Sequence, residues 1–530
     1  MGRTMNKENA RIAKAAGIVG MATMLSRIFG FIRDMVVAAL FGAGLHTDAF
    51  FVAFRIPNLL RRLLGEGSLT VAFVPVFTEY LKTRSKEAAL ELANVAFTIL
   101  SVILVVVSIL GIVFSPIIVT VMAPGFVHTP AQFELAVFLN RLMFPYIFFI
   151  SMVALCMGVL NSLRHFAAPA LSPVILNLSM IGAALLLRGF FEQPIVALAV
   201  GVIIGGVLQL AMQWPVLIKM GAPLRFKCKF SHPGIKQMGR LLIPTLIGSG
   251  IYQINIFIGT ILASLLPKGS VSYLYYADRL VELPLGVFAI AVGTATLPSF
   301  SSQVAKGELE NLKQTISFSM RLILFITIPA SIALIALREP IISVLFQRGA
   351  FGASSTVLTS QALLYYTIGL WAFSLIRVVD SAFFSLQDRK SPLKAAFAAL
   401  LVNIICSVIL MFPLKHGGLA LATSIASAAN VLMLMFILKK KIGSFLLPDF
   451  YISFMKTTLA SSVMLGAIAA TYVFLPWNLG APFRERLLFL AVSVSVGIAA
   501  FFLSAHFIHC PEITAITTAL RRKLNSISHP

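Results

Sequence analysis

Charge is scarce in this 530-residue chain: 12% of its residues are Asp, Glu, Lys or Arg, against roughly 25% in a soluble domain. So few charges cannot cover a water-facing surface, which excludes an ordinary cytosolic enzyme and a disordered chain. Acids are the scarcer sign, 19 against 42 Lys and Arg, for a net charge of +23. In a soluble protein that excess would point to nucleic acid. Here it points to the basic cytoplasmic loops of a membrane protein. Cysteine is also rare. Cys156, Cys228, Cys406 and Cys510 stand far apart, with no C-x-x-C and no Cys/His ligand spacing. A secreted disulfide scaffold is therefore excluded, and the four read as small apolar fillers. The sequence lacks G-x-x-x-x-G-K-[ST], H-E-x-x-H, G-x-S-x-G and any Asp-rich cluster, so no ATPase, metalloprotease or hydrolase signature is present. The histidines lie mostly in loops or at span ends. No enzyme, metal site or cofactor is expected.

What the chain has is apolar length. Its hydrophobic fraction is 59% and its mean hydropathy +0.95. A helix crossing a bilayer needs about 20 apolar residues. Fourteen candidate segments are legible, near 14–42, 47–77, 92–123, 132–160, 168–187, 194–218, 241–266, 271–300, 318–337, 355–386, 393–413, 417–438, 452–475 and 486–508. The first is interrupted by Arg27 and Arg33, unlike the clean apolar core of a cleaved signal peptide, and is expected to remain as a span. With both termini cytoplasmic, the inner loops collect most of the basic residues, including Arg84, Lys86, Arg225, Lys227, Lys229, Arg389, Lys390 and Lys439 to Lys441. The outer loops keep about seven, among them Arg188, Lys268 and Arg348. That asymmetry predicts the topology.

The two halves echo each other. Ala53-Phe-Arg55 answers Ala277-Asp-Arg279 at a shift of 224, each followed by a proline, Pro57 and Pro284. VPVF at Val74 to Phe77 answers LPSF at Leu297 to Phe300, and S-L-x5-P at Ser162 to Pro169 answers Ser385 to Pro392, both shifted by 223. One repeat holds six spans, an even number, so both copies enter the membrane in the same orientation. The expected architecture is all-α and polytopic: fourteen transmembrane helices, with two six-helix lobes related by a pseudo-two-fold along the membrane normal. The lobes are residues 1–218 and 241–438, joined by a basic cytoplasmic linker, 219–240. Two extra helices follow in 439–508, then a cytoplasmic tail, 509–530. The linker reads either as plain positive-inside sequence or as a contact for anionic lipid.

A charge at the centre of a span costs about 2.5–3.5 kcal/mol. Yet the spans carry Arg27, Arg33 and Asp34, then Asp48, Arg55, Arg61, Arg62 and Glu66, and later Arg141, Asp278, Arg279, Glu282, Arg377 and Asp380. A salt bridge or a snorkel to the interface would explain some of them. Arg27, Arg33, Arg61 and Arg279 are the residues expected to face a cavity between the lobes. Arginine favours a phosphate-bearing anion through its planar, bidentate fork. A cation or drug exporter would show a surplus of buried carboxylates instead. The breaks at Pro57, Gly65 to Gly67, Pro284 and Gly286 allow the bending that alternating access uses.

The segments SRIFGFIRD, FGAGLHTDAFFVAFRIPNLLRRLLGEGSLTVAFVPVFTEY and LYYADRLVELPLGVFAIAVGTATLPSF closely resemble the MurJ (MviN) family. These are lipid II flippases of the multidrug/oligosaccharidyl-lipid/polysaccharide exporter superfamily. The resemblance covers essentially the whole chain. It implies an inner-membrane flippase of peptidoglycan synthesis, moving undecaprenyl-pyrophosphate-disaccharide-pentapeptide to the outer leaflet by alternating access. The family's cavity arginines map onto Arg27, Arg33, Arg61 and Arg279. Asp34, Asp48 and Glu66 match its acidic positions, and Asn58 is taken as a further cavity residue. By the same analogy the last two spans form a groove for the lipid tail. Partners implied are lipid II, membrane lipids and other cell-wall synthesis proteins, without nucleic acid. Some relatives are thought to hold sodium between spans seven, eleven and twelve; here that region offers Asn255, Asn403, Ser407 and Thr423 but no carboxylate.

Three rivals stay open. A flippase for another polyprenyl-pyrophosphate sugar shares the arginine logic. An ion-coupled drug exporter on the same scaffold needs a functional carboxylate. A membrane scaffold or integral transferase needs either no span arginines or a metal-binding acidic cluster.

Overall fold

The computed structural model describes residues 2–60, 69–227, 229 and 231–513. Among them there are helices and no strand. Packing divides the chain into two compact units, Met1–Ser272 and Tyr273–Pro530. The first contains α1 (Gly2–Phe41), α2 (Leu45–Leu60), α3 (Leu69–Thr83), α4 (Lys86–Val113), α5 (Ser115–Met122), α6 (Pro130–Met143), α7 (Tyr146–Ser162), α8 (Ala167–Leu186), α9 (Val196–Lys219) and α10 (Pro233–Ser264). The chain goes on through α11 (Ser270–Pro284), α12 (Ile290–Ala305), α13 (Leu309–Ala336), α14 (Arg338–Phe346), α15 (Ala353–Ile368) and α16 (Leu370–Ser385). It ends with α17 (Lys390–Leu414), α18 (His416–Ile442), α19 (Pro448–Phe474) and α20 (Phe483–Phe507).

Nine helices among the described residues are long and apolar enough to cross a membrane, or ten if α15 and α16, bent by 40°, form one span. They coincide with the expected spans three to six and nine to fourteen. The expected spans one, two, seven and eight fall on α1, on α2 with α3, on α10, and on α11 with α12. These segments carry charges or helix-interrupting prolines, among them Arg33 and Asp34 in α1 and Pro57 in α2. By length and composition, nine or ten of the fourteen expected spans are matched among the described residues.

The core of the first unit gathers Phe73, Phe77 and Tyr80 of α3, Leu92 of α4, and Ile147, Leu155 and Val159 of α7. In lipid, apolar burial alone gives little drive, so close backbone packing matters more. Gly201 and Gly205 make a G-x-x-x-G step on α9 against α8. A methyl on Gly201 would meet the Ala183 Cβ at 2.8 Å, and one on Gly205 the Leu176 Cδ1 at 2.7 Å. The basic linker lies along α4: the Arg225 and Lys227 backbone N–H groups donate to Asn94 Oδ1 and Thr98 Oγ1. Lys227 and Lys229 both reach Glu91, at 3.0 and 3.1 Å.

The second unit has two apolar clusters. One joins Phe300, Ile316, Met320, Val379, Phe383 and Leu434. The other joins α19 and α20 to α13 and α14 through Phe325, Leu337, Met464, Ile468, Phe489 and Phe501. Much of the surface of α19 and α20 stays exposed and apolar, including Met455, Val473, Phe474, Leu503 and Phe507.

The repeat seen in the sequence recurs in the helix ends. Both ends of α4 and α13 differ by 223, as do the starts of α6 and α15, the ends of α7 and α16, and the starts of α8 and α17. The corners after α7 and α16 share one hydrogen-bond pattern. Arg164 and Gln387 sit in the left-handed region at φ 61° and 57°. Their N–H groups donate to Asn161 and Phe384 carbonyls, and the next N–H groups, of His165 and Asp388, to Leu160 and Phe383. This is the Schellman termination of a helix, built here without glycine.

Candidate functional site

In the first unit the site starts on α1. Its 40 residues make a rod about 60 Å long at about 1.5 Å per residue. Arg27 and Arg33 are about 120° apart around its axis, and their surroundings differ accordingly. Arg27 is exposed. Among the described residues it has no hydrogen bond and no ion pair. Arg33 is nearly enclosed, its side chain 13% exposed against 3% for Asp34. Its Nε and Nη2 donate to Asp34 Oδ1 at 3.0 and 2.7 Å. Its Nη1 donates to Asn177 Oδ1 on α8 at 3.0 Å. Asn177 Nδ2 in turn donates to the Ser26 carbonyl at 3.1 Å. Neighbours in helix sequence do not normally face each other; the length of the arginine lets it wrap back onto Asp34. The result is a guanidinium held in one orientation by two helices.

Asn177 is absent from the candidates read in the sequence. Its signal was available: a lone amide within the apolar run SPVILNL of α8. A neutral polar side chain in a span needs a partner just as a charge does.

Asp48, expected to support the cavity, is buried near the start of α11. It is 2% exposed. Its Oδ2 accepts from the Gly269 N–H at 2.6 Å, and its Oδ1 from the Ser272 N–H at 2.8 Å and the Ser272 hydroxyl at 2.5 Å. The Ser272 hydroxyl is also 3.0 Å from Thr47 Oγ1. A carboxylate among N–H groups at the start of a helix is favourably placed. Asp34 and Asp48, the buried acids of this site, are thus both already engaged. Asn58 is half-buried. Arg61 and Glu66 lie outside the described residues, as does Arg62.

In the second unit Arg279 lies on α11. Its Nη1 donates to Glu282 Oε2 at 2.6 Å, and its guanidinium sits 4.8 Å from the centre of the Tyr275 ring. Arg279 is 26% exposed and Glu282 43%. Just beyond, Pro284 precedes a stretch of π-helix, Leu285–Ala289; such wide turns mark interruptions in the helix ladder. On α16, Arg377 is exposed and Asp380 half-buried, and they make no ion pair within 4.0 Å. Asn403 donates to Thr423 Oγ1 at 3.4 Å and accepts from the Ser407 hydroxyl at 3.1 Å, a small polar network with no carboxylate. Among the described residues no group of His, Cys, Asp and Glu is arranged to hold a metal.

Arginines set within largely apolar helices are the arrangement expected of a membrane transporter of anions. The fold agrees. An inward-facing multidrug resistance MATE family transporter of the MOP superfamily matches with a TM-score of 0.65 at 15% identity, over 81% of this chain and 98% of its own. The family is then plain. The sequence model described as "Lipid II flippase MurJ" matches residues 37–486, and this chain belongs to that family. A probable lipid II flippase MurJ of Vibrio cholerae is 37% identical over 93% of this chain and 95% of its own length. A lipid II flippase MurJ of Burkholderia cenocepacia is 37% identical over 79% and 82%. The solved structure of a lipid II flippase MurJ in an inward closed conformation matches with a TM-score of 0.79 at 29% identity, covering 93% of this chain and 99% of that one.

Proposed function

We infer that this chain is a flippase for lipid II, the undecaprenyl-pyrophosphate carrier of the peptidoglycan disaccharide-pentapeptide, in the bacterial inner membrane. Family membership supplies the substrate class. The observation that carries the mechanism is the contrast on α1, an exposed Arg27 with no acid beside a fixed Arg33. A pyrophosphate and a sugar-peptide cannot cross oil without replacing their hydration. Arg27 and Arg33, with Arg61 and Arg279, supply that replacement. Fixed donors need no reorganisation when the anion arrives, and guanidinium forks match its oxygens. The engagement of Asp34 and Asp48 argues against a drug exporter that would use either as its coupling acid.

In this reading the lobes are residues 1–218 and 241–438, related by an axis along the membrane normal, with both termini cytoplasmic. The site opens inward, then outward. The lipid tail runs along the apolar surface of α19 and α20, and the basic linker meets anionic lipid of the inner leaflet. Two negative charges moving outward gain up to about 4–5 kcal/mol across 100 mV.

The test is complementation of a flippase-depleted bacterium at matched expression. Arg27→Ala, Arg33→Ala, Arg61→Ala and Arg279→Ala each fail to restore growth. Growth of all four removes the cavity reading and leaves only family membership.

A further inference from the structure

Arg486, in the first turn of α20, is the buried arginine that the transport reading does not use. It is 8% exposed. Its Nη1 donates to the Ser343 hydroxyl of α14 at 2.6 Å, and its Nε is buried without a partner. Among the described residues no carboxylate lies within ion-pair distance of it. A second guanidinium, that of Arg348, lies at the same helix start, against the Phe483 ring. The start of α20 adds to this, because a helix N-terminus carries partial positive charge. Arg348 is exposed, anchored by its Nη2 to the Val344 carbonyl at 2.7 Å and stacked 4.8 Å from the centre of the Phe483 ring.

Two guanidinium groups stand at a positive helix end whose own acid, Glu485, makes no ion pair with Arg486, and this describes half of an ion pair. The missing half is an anion, and the surroundings identify its kind. Tyr472 and Trp477 both pack on Phe489, at 4.8 and 5.2 Å between ring centres. Such aromatics sit at the level of lipid headgroups. Val473 and Phe474 beside them are 79% and 81% exposed, a surface for acyl chains. We propose that Arg486 and Arg348 hold the phosphate of a lipid headgroup at the junction of α14 and α20. The anion is a phosphate on a lipid with a net negative charge, drawn either from the bilayer or from a polyprenyl diphosphate leaving the transport path. The site rests on the membrane reading of the chain and not on the identity of its cargo.

The experiment is native mass spectrometry of the detergent-purified full chain, titrated separately with phosphatidylglycerol, phosphatidylcholine and farnesyl diphosphate. Arg486→Gln and Arg348→Gln each weaken phosphatidylglycerol binding about tenfold, as loss of one charge-assisted contact predicts, and leave phosphatidylcholine unchanged. A loss confined to phosphatidylglycerol assigns the site to bilayer lipid; a loss confined to farnesyl diphosphate assigns it to the transported headgroup; a loss of both assigns it to any anionic lipid phosphate. Arg348 is exposed, so Arg348→Gln reports even where Arg486→Gln fails to fold. Unchanged binding of both anionic lipids in Arg348→Gln, or an equal loss of phosphatidylcholine, overturns the site. Binding is read without flipping, so failure here and failure of the transport reading remain distinct.

Discussion

Arg33 and Arg279 are both span arginines with an acid on their own helix, yet they are held in different ways. Arg33 has its acid one residue on, 3% exposed, and a second helix contributes Asn177. Arg279 has its acid three residues on, 43% exposed, with a tyrosine of the same helix against its guanidinium. A charge fixed from two helices cannot move without moving both. A charge tethered along one helix can exchange its acid for a ligand. In the transport reading proposed above, this difference suits Arg33 to orientation and Arg279 to capture.

The strongest way to break the comparison is Asp34→Asn. It leaves the enclosed Arg33 without its countercharge, and breaking a buried pair in this way costs about 3–5 kcal/mol. A large fall in the thermal midpoint of the purified protein is expected, with loss of complementation; an unchanged midpoint would show that Arg33 is not committed. Next, Asn177→Leu removes the hydrogen bonds to Arg33 and to the Ser26 carbonyl. The expected cost is about 1–3 kcal/mol, with growth restored only partly, because Asp34 still orients the guanidinium. Weaker still is Glu282→Gln. That pair is open to solvent, and such pairs contribute about 0–1 kcal/mol after screening. Stability should barely change and lipid II binding should hold or tighten. A drop as large as that of Asp34→Asn would make the two arginines equivalent.

The smallest effect depends on pH. Asp388, at the corner before α17, is pushed upward by burial, but hydrogen bonds from Lys441 and from the Ser391 hydroxyl and N–H outweigh this and hold its carboxyl far below the usual range. A depressed carboxyl stabilises the fold fully above its unfolded value, about pH 4. The contribution fades as pH falls from there toward the depressed value. Asp388→Asn should therefore lower the thermal midpoint slightly at pH 7 and not at all at the acid end. An equal decrement at every pH would assign the effect to packing. The matching corner in the other copy carries His165 in place of Asp388, so His165→Asn tests whether the ion pair or the turn matters.

The repeat was legible because it is written in local chemistry. S-L-x5-P places a helix end and a new helix start within eight residues, and the structure terminates α7 and α16 at those serines. The arginines of α1 stood out because charge is rare in a span. Their partners did not. Arg33 and Asn177 are 144 residues apart, and nothing local to either announces the other. Asp48 was legible as an acid matching the family's motif, but not by its partners. Its hydrogen bonds go to Gly269 and Ser272, more than 220 residues on. Among the described residues nine or ten helices pass as spans by length and composition; charges, as in α1, make a segment look less like a membrane helix.

The two copies differ in length at one telling place. From Arg55 to Val74 is 19 residues, and from Arg279 to Leu297 is 18; elsewhere α4 and α13 agree at 28 residues each. Losing one residue from an unbroken helix swings everything after it by about 100°, so an intact rod cannot tolerate it. In the second copy the shortened interval contains the π-helix Leu285–Ala289, where the ladder is already out of step and the swing can be absorbed locally. Insertions and deletions that separate relatives of this chain should therefore collect at this joint and avoid α4 and α13.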